Sequence, residues 1–339
     1  MSNKILIVTN KLDIHPTSVI NLLIKKNIPY FRLNTEALMT DYNFAWIYKE
    51  ASPDFYIQDR NNGNIIWGHE IKSVWYRRPK EPECLLFSVN DEVNRHNMEE
   101  SKQFYLYLMY LLSDYYSIGN HLYDKYANSK LVQLNTAFKM GIKIPATCLT
   151  NTKTDIVNFC EGIPEVILKP LRNFNVLSGD HDIYHLYTVK VNSEEFDKQP
   201  EECFQQTVSF CENYVEKKYE VRITIMGSYI FSCKLDSQAQ QDDTGKIDWR
   251  QGYDHKIKHE MIEAPLYVED FCRNYLRFMK LHFGCFDFIV TPQEEYVFLE
   301  CNPNGQWGWI EDELNITTMT EALVDCLVNK LDVKSNEKI

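Results

Sequence analysis

Asp287, Glu300 and Asn302 are the chain's clearest set of residues for chemistry. Two β-branched and aromatic runs flank Pro292-Gln293-Glu294-Glu295, a pattern that reads as a hairpin. With the turn centred between Gln293 and Glu294, Asp287 falls opposite Glu300 and Val290 opposite Val297, and directly opposed side chains share a face. The period of two keeps Asn302 on that face. Two carboxylates and one amide oxygen then converge. Like charges placed directly opposite each other destabilise a sheet, so Asp287 against Glu300 calls for a neutralising partner. Mg2+ is the natural one, because it takes hard oxygen ligands and shares them with substrate phosphates, and no His or Cys spacing here indicates a softer metal. An edge hairpin with solvated acids is the competing reading. Asn302-Pro303-Asn304-Gly305 ends the strand at the proposed ligands, where a site would open to substrate.

A second signal is Lys169, which closes the apolar run from Glu165. A lysine against hydrophobic neighbours is costly without an anion, and phosphate would serve. Trp75-Tyr76-Arg77-Arg78-Pro79 sets two guanidiniums behind two aromatics; it reads as a solvated strand end or as a grip for a carboxylate or phosphate. His181/His185 and His255/His259 have i, i+4 spacing. They lie in polar stretches without a metalloprotease pattern, so surface histidines are expected.

The elements that hold these residues come from a chain of 339 residues, enough for two or three domains. Lys and Arg number 36 against 48 Asp and Glu, a net charge of −12, which argues against nucleic acid or an anionic membrane as the main partner. The ten cysteines include no Cys-x-x-Cys pair, so buried free thiols in a reducing compartment are expected. The longest apolar run, Phe104 to Leu112, falls short of the roughly 20 residues of a membrane helix. The first ten residues read as a strand, not a signal peptide. A soluble cytoplasmic protein is the expectation.

Lys4 to Thr9, Pro16 to Lys26 and Pro29 to Leu33 form a β-α-β opening. No Gly-x-Gly-x-x-Gly follows the first strand, so this is scaffold and not a dinucleotide site. Four short runs between Phe44 and Tyr76 read as a meander, and Glu92 to Ser117 as a long helix packed between domains. Ser129 to Gly141 is an amphipathic helix leading into a strand entry at Ile142 to Thr147. From Thr207 the pattern is helical or irregular, then a turn at Lys217-Lys218 precedes strands Tyr219 to Met226 and Ser228 to Leu235. Residues 236–264 are polar, and Gln238 to Gly245 reads as a loop. Helices over Val268 to His282 and Ile316 to Leu331 enclose the hairpin.

Together these motifs resemble the ATP-grasp ligases, and among them the graspetide (microviridin-type) maturases of ribosomally made peptides. The matching residues are Lys130 before Gly141 to Pro145, Val166 to Pro170, Tyr214 to Arg222, Asp287, Leu299 to Trp307, and Trp75 to Pro79. The resemblance implies an α/β (α+β ATP-grasp) fold: an N-terminal pre-ATP-grasp domain over residues 1–122, a central subdomain over 123–206, and a C-terminal subdomain over 207–333 carrying the metal site, with ATP between the last two. It also implies that Lys130 and Lys169 hold ATP phosphates, that the backbone of Asn213, Tyr214 and Val215 binds adenine, and that Glu220 takes the ribose hydroxyls. Asp287, Glu300 and Asn302 would bind Mg2+, and residues 171–180 would cover the phosphates. The hinge reads Glu212-Asn213 where the family usually shows Gln-Glu.

The activity so implied is phosphorylation of an Asp or Glu side chain in a precursor peptide, followed by attack of a Ser/Thr hydroxyl or Lys amine to close an ester or amide ring. Arg222 and Arg250 are the candidate catalytic cations, since guanidinium grips a carboxylate in bidentate fashion. The polar segment 236–262 is the expected dock for a leader peptide, and the family likeness admits a homodimer. Two other readings stand beside this one: a ligase adding free amino acids to a protein or small acid, and a non-catalytic nucleotide-binding module.

Overall fold

The computed structural model describes residues 3–48, 54–83, 88–171, 175–177, 183–185, 188–239, 246–247 and 257–333. A parallel sheet in the order β2-β1-β6-β7 forms from β1 (Lys4–Thr9), β2 (Tyr30–Asn34), β6 (Ile71–Tyr76) and β7 (Ser117–Ile118). The helix Pro16–Lys25 makes the crossover between its first two strands. The expected four-strand meander is corrected here. Only β3 (Tyr42–Ile47), β4 (Asp54–Asp59) and β5 (Ile65–Trp67) pair antiparallel, while the fourth run becomes β6 beside β1. Its near-continuous burial suits a strand covered on both faces.

Helix Asp91–Leu112 starts at Asn90, whose side chain accepts from the Glu92 N–H, a stabilising N-cap. It packs Tyr105, Leu108, Met109 and Leu112 onto Leu6, Val8 and Tyr76 of the parallel sheet. That places it on the sheet's own core, where an interdomain position was expected. Helix Thr318–Asn329 covers the opposite face, where Leu323 and Leu327 share a core with Ile5, Ile7 and Trp75.

A second sheet, order β12-β9-β13-β8, joins β8 (Thr147–Thr150), β9 (Glu165–Leu168), β12 (Val189–Asn192) and β13 (Ser209–Asn213); β10 (Asn175–Leu177) and β11 (Ile183–His185) pair separately. β13 corrects the helical or irregular expectation after Thr207. The third sheet runs β16-β15-β14-β17-β18, from β14 (Tyr219–Met226), β15 (Tyr229–Leu235), β16 (His259–Ile262), β17 (Phe283–Val290) and β18 (Tyr296–Asn302). β16 also went unread in the polar stretch.

Helix Leu266–Met279 buries Val268, Phe271, Cys272, Tyr275, Leu276 and Met279 along one stripe, the spacing of an amphipathic helix on a sheet. The Phe271 ring meets Phe286, Phe288 and Phe298 edge-on. Because side chains alternate across a strand, Phe286 and Phe288 facing this helix turn Asp287 to the other side. The nine described cysteines are free. Among the described residues no helix is long and apolar enough to cross a membrane.

Candidate active site

The hairpin meets expectation at Asp287 and departs from it further out. Asp287 pairs with Glu300 and Cys285 with Asn302, but Val290 pairs with Tyr296 and Phe288 with Phe298. The turn is centred on Gln293, half a position earlier than expected, which moves each pairing next to it by one residue; Glu294 lies at φ 63 and its N–H donates to the Thr291 carbonyl at 2.9 Å. A β-bulge at Leu299 then restores the register. Without it, the period of two would put Glu300 on the face of Phe298, which is buried in the aromatic core. The bulge turns Glu300 over, a common use of bulges beside active sites.

β18 is an edge strand, and Gln133 on helix Lys130–Lys139 covers its edge. The Gln133 carbonyl accepts from the Cys301 N–H at 3.0 Å, and its amide donates to the Cys301 C=O at 2.7 Å. One side chain thereby satisfies both backbone groups between Glu300 and Asn302. Downstream, a Cβ at Gly305 would collide with the Cys285 side chain, so only glycine lets the chain turn so close to β17. Arg77, 1% exposed, donates to the Asn304 and Gly305 carbonyls at 2.7 and 3.0 Å, and its Nε lies 3.2 Å from Asp13 Oδ2. Burial lowers its pKa to about 10, with Arg78 adding to the effect. Arg77 is thus a structural cation, neither a solvated strand end nor a free ligand grip.

The expected site residues gather around one cavity of about 630 Å3, lined by Lys130, Lys169, Asn213, Tyr214, Val215, Glu220, Arg222, Asp287, Glu300 and Asn302. Arg250 lies outside the described residues, as does most of the 171–180 loop. His259 sits in β16, which removes the helical spacing; His181 and His255 are outside the described residues.

Charges along the wall are matched in pairs. Arg222 Nε and Nη2 donate to Asp287 Oδ1 and Oδ2 at 2.8 and 2.7 Å. Lys130 Nζ lies 2.9 Å from Glu300 Oε2, and Lys169 Nζ 2.5 Å from Glu212 Oε2. Lys217, read from sequence as a turn residue, is buried and donates to Glu220 at 2.6 Å and to the Ile247 carbonyl at 3.0 Å. The neutralisation expected of Mg2+ is therefore supplied, in this structure, by Arg222 and Lys130. Burial opposes the Arg222 charge, yet contact with Asp287 holds its pKa above the ordinary value.

The Asp287, Glu300 and Asn302 donors are all hard oxygens on one cavity wall, the kind of set that magnesium completes with water and phosphate. Among the described residues no three His, Cys, Asp or Glu side chains cluster to hold a metal without such help. At the hinge, the Asn213 side chain accepts from the Ala146 N–H at 2.7 Å, and the Tyr214 N–H donates to Glu165. Among the described residues the Val215 backbone has no hydrogen-bond partner, so a donor and an acceptor remain for a heterocycle edge. Ile167, Ile289 and Leu299 supply apolar lining. Sequence reasoning gave no site role to these three, nor to Gln133, Lys217 and Trp309, although all lie within or close to the motifs, because apolar lining and support of a strand edge leave no mark in residue type or spacing.

Residues 4–123 match the family described as "MvdD pre-ATP grasp domain". No curated protein matches the chain. Among solved structures, a Chryseobacterium gregarium RiPP-associated ATP-grasp ligase, in complex with ADP and a leader and core peptide, superposes at TM-score 0.88 with 24% identity, covering 99% of this chain and 100% of that one. The macrocyclase MdnC of Microcystis aeruginosa MRC, bound with precursor peptide MdnA, gives 0.80 at 24% identity over 96% and 99%. The ATP-grasp ligase PsnB, complexed with minimal precursor, Mg and ADP, gives 0.72 at 16% over 97% of each chain. The chain therefore has the ATP-grasp fold.

Proposed function

We propose that this chain is an ATP-dependent, ADP-forming peptide ligase. It phosphorylates Asp or Glu side chains of a ribosomal precursor peptide and closes macrocyclic esters or amides on them. The observation that carries this reading is the shared cavity. A hinge whose Val215 backbone donor and acceptor have no partner among the described residues, two lysines suited to phosphates, and the Asp287, Glu300, Asn302 oxygen set all line it. Lys130 and Lys169 would hold phosphates, Glu220 the ribose, and the oxygen set Mg2+, which would stabilise charge on the transferring phosphoryl group. Positioning and preorganised electrostatics then supply the acceleration.

The likeness to ligases solved with leader and core peptides supports a peptide substrate. The three-part division at residues 122 and 206, a cytoplasmic location, a homodimer, and the absence of nucleic-acid and membrane partners belong to the same proposal. The test is mass spectrometry of a precursor incubated with protein, ATP and Mg2+. Successive losses of water coupled to ADP release are expected. Joining of free glutamate to an acceptor, with no peptide dehydration, would favour the amino-acid ligase instead.

A further inference from the structure

Among the described residues, five cationic side chains line the cavity: Arg78, Lys130, Lys169, Lys217 and Arg222. Four of them face a lining carboxylate, namely Glu300, Glu212, Glu220 and Asp287. Among the described residues, Arg78 alone in this set has no carboxylate within ion-pair distance.

Its backbone is unusual as well. Arg78 sits at φ 50, a left-handed conformation that non-glycine residues seldom adopt and that persists where surroundings over-determine it. Here they do. The Arg77 N–H donates to the Val8 carbonyl at 2.8 Å, the Arg78 carbonyl accepts from Asn10 Nδ2 at 2.8 Å, and the Lys80 N–H donates to Thr35 Oγ1 at 2.8 Å. Three anchors hold the chain end of β6 so that the Arg78 side chain reaches the cavity. With the Gln306 amide oxygen turned toward it, Arg78 Nη1 and Nη2 donate at 3.1 and 3.3 Å and His15 Nε2 at 3.3 Å. The Gln306 backbone carbonyl lies 3.5 Å from Arg222 Nη1, so Gln306 links the unpaired guanidinium to the Arg222–Asp287 pair. Burial, and then Arg77, press His15 toward its neutral form, leaving it a hydrogen-bonding group.

Resting on the ligase reading, we infer that Arg78, steadied by Gln306, binds the carboxylate of the substrate's acidic side chain. Arg222 has its Nε/Nη2 edge taken by Asp287 and its Nη1 beside the Gln306 carbonyl, so Arg78 is the better placed for that role. Lys169 enters the cavity at the end of β9 in the second sheet and Lys130 from the helix against the β18 edge, and these two answer for phosphates. Arg78 enters from the parallel sheet, and a planar guanidinium left without a carboxylate matches a second one in bidentate fashion.

The probe is N-acetyl-glutamate amide, with N-acetyl-glutamine amide as its uncharged isostere, titrated into full-length protein with Mg2+ and ADP and followed by ligand-observed NMR. Arg78→Asn keeps a residue that tolerates the left-handed backbone, and Arg78→Lys keeps the charge. Wild type should prefer the glutamate probe to its isostere. Arg78→Asn should weaken it by about tenfold or more, as expected for a lost charged hydrogen bond, and erase the preference, with Arg78→Lys between. ADP affinity should be unchanged in both variants. Equal glutamate affinity in wild type and Arg78→Asn overturns the inference, as does a wild type without preference. ADP affinity that falls with Arg78→Asn overturns it in favour of a phosphate contact. A wild type that binds the glutamate probe but no ADP would sink the ligase reading while leaving the Arg78 comparison decisive.

Discussion

Arg222 and Asp287 stand opposite each other on β14 and β17, joined by two parallel hydrogen bonds of 2.8 and 2.7 Å. The next strand places Glu300 beside Asp287, and Lys130 closes the row. Cation, carboxylate, carboxylate and cation thus follow one another across one wall, so the four charges balance. On the proposed function, Glu300 would be a magnesium ligand and Lys130 would be released to a phosphate.

Removing one end of that row should therefore be costly to the fold. Arg222→Leu leaves Asp287 without its buried partner and should lower stability by about 3–5 kcal/mol in urea unfolding. Asp287→Asn in the same background should return much of the loss. An Arg222→Leu protein as stable as wild type would mean that the pair contributes nothing net.

Glu300→Ala removes a proposed ligand from a partly exposed edge position, so the fold should survive. It also frees Lys130 from its partner. Mg2+-dependent ADP release in the presence of precursor should be abolished, and full release by the variant would take Glu300 out of the site.

Lys169 carries a different coupling, because its partner Glu212 is buried. Lys169→Met should weaken ATP binding by about 1.5–3 kcal/mol as a charged contact is lost, and should also destabilise the protein by stranding Glu212. The double variant Lys169→Met, Glu212→Gln should regain stability but not ATP affinity. Calorimetry giving unchanged ATP affinity would mean that Lys169 serves Glu212 alone.

The contrast between Glu300 and Lys169 marks what could be read from the chain. Polar residues interrupting apolar runs were legible, because burial makes such exceptions conspicuous, and those residues meet in one cavity. The partners were not: Lys130 with Glu300, Lys169 with Glu212 and Arg222 with Asp287 are brought together by tertiary folding alone. β13 and β16 went unread because each is short, half polar and stabilised by strands distant in sequence. The Leu299 bulge was invisible to periodicity, and the Asp287–Glu300 pairing holds because a one-residue shift of register at the turn is compensated by one inserted residue.

Gln133 shows how much the site depends on that edge. Gln133→Leu leaves the buried Cys301 N–H and C=O without partners, at about 1–3 kcal/mol for each such group. Stability should fall by a few kcal/mol, and Mg2+-dependent turnover should fall more steeply than ATP affinity, because Glu300 and Asn302 flank the unsupported residue. Equal losses in both would argue that Gln133 only stabilises the fold.

Asp124 supplies a pH test of the turn after β18. Its carboxylate accepts from the Asn120 N–H at 3.1 Å and from Asn304 Nδ2 at 2.6 Å, and Asn304 is in turn held by Arg77. Desolvation raises the Asp124 pKa from 3.8 to about 7, against the pull of those two hydrogen bonds. Between these values the folded protein binds more protons than the unfolded chain, so this group's stabilisation is complete below about pH 4 and is lost as pH rises through about 7. The shift corresponds to at most about 4 kcal/mol. Asp124→Asn removes the titration, since an amide stays neutral and the Asn304 amide can turn to meet it. Unfolding free energies measured from pH 5 to pH 8 should show the variant gaining on wild type as pH rises, most steeply at the acid end of that range and levelling off above about pH 7. A difference between the two proteins that stays constant across that range would mean that Asp124 titrates as an ordinary carboxyl.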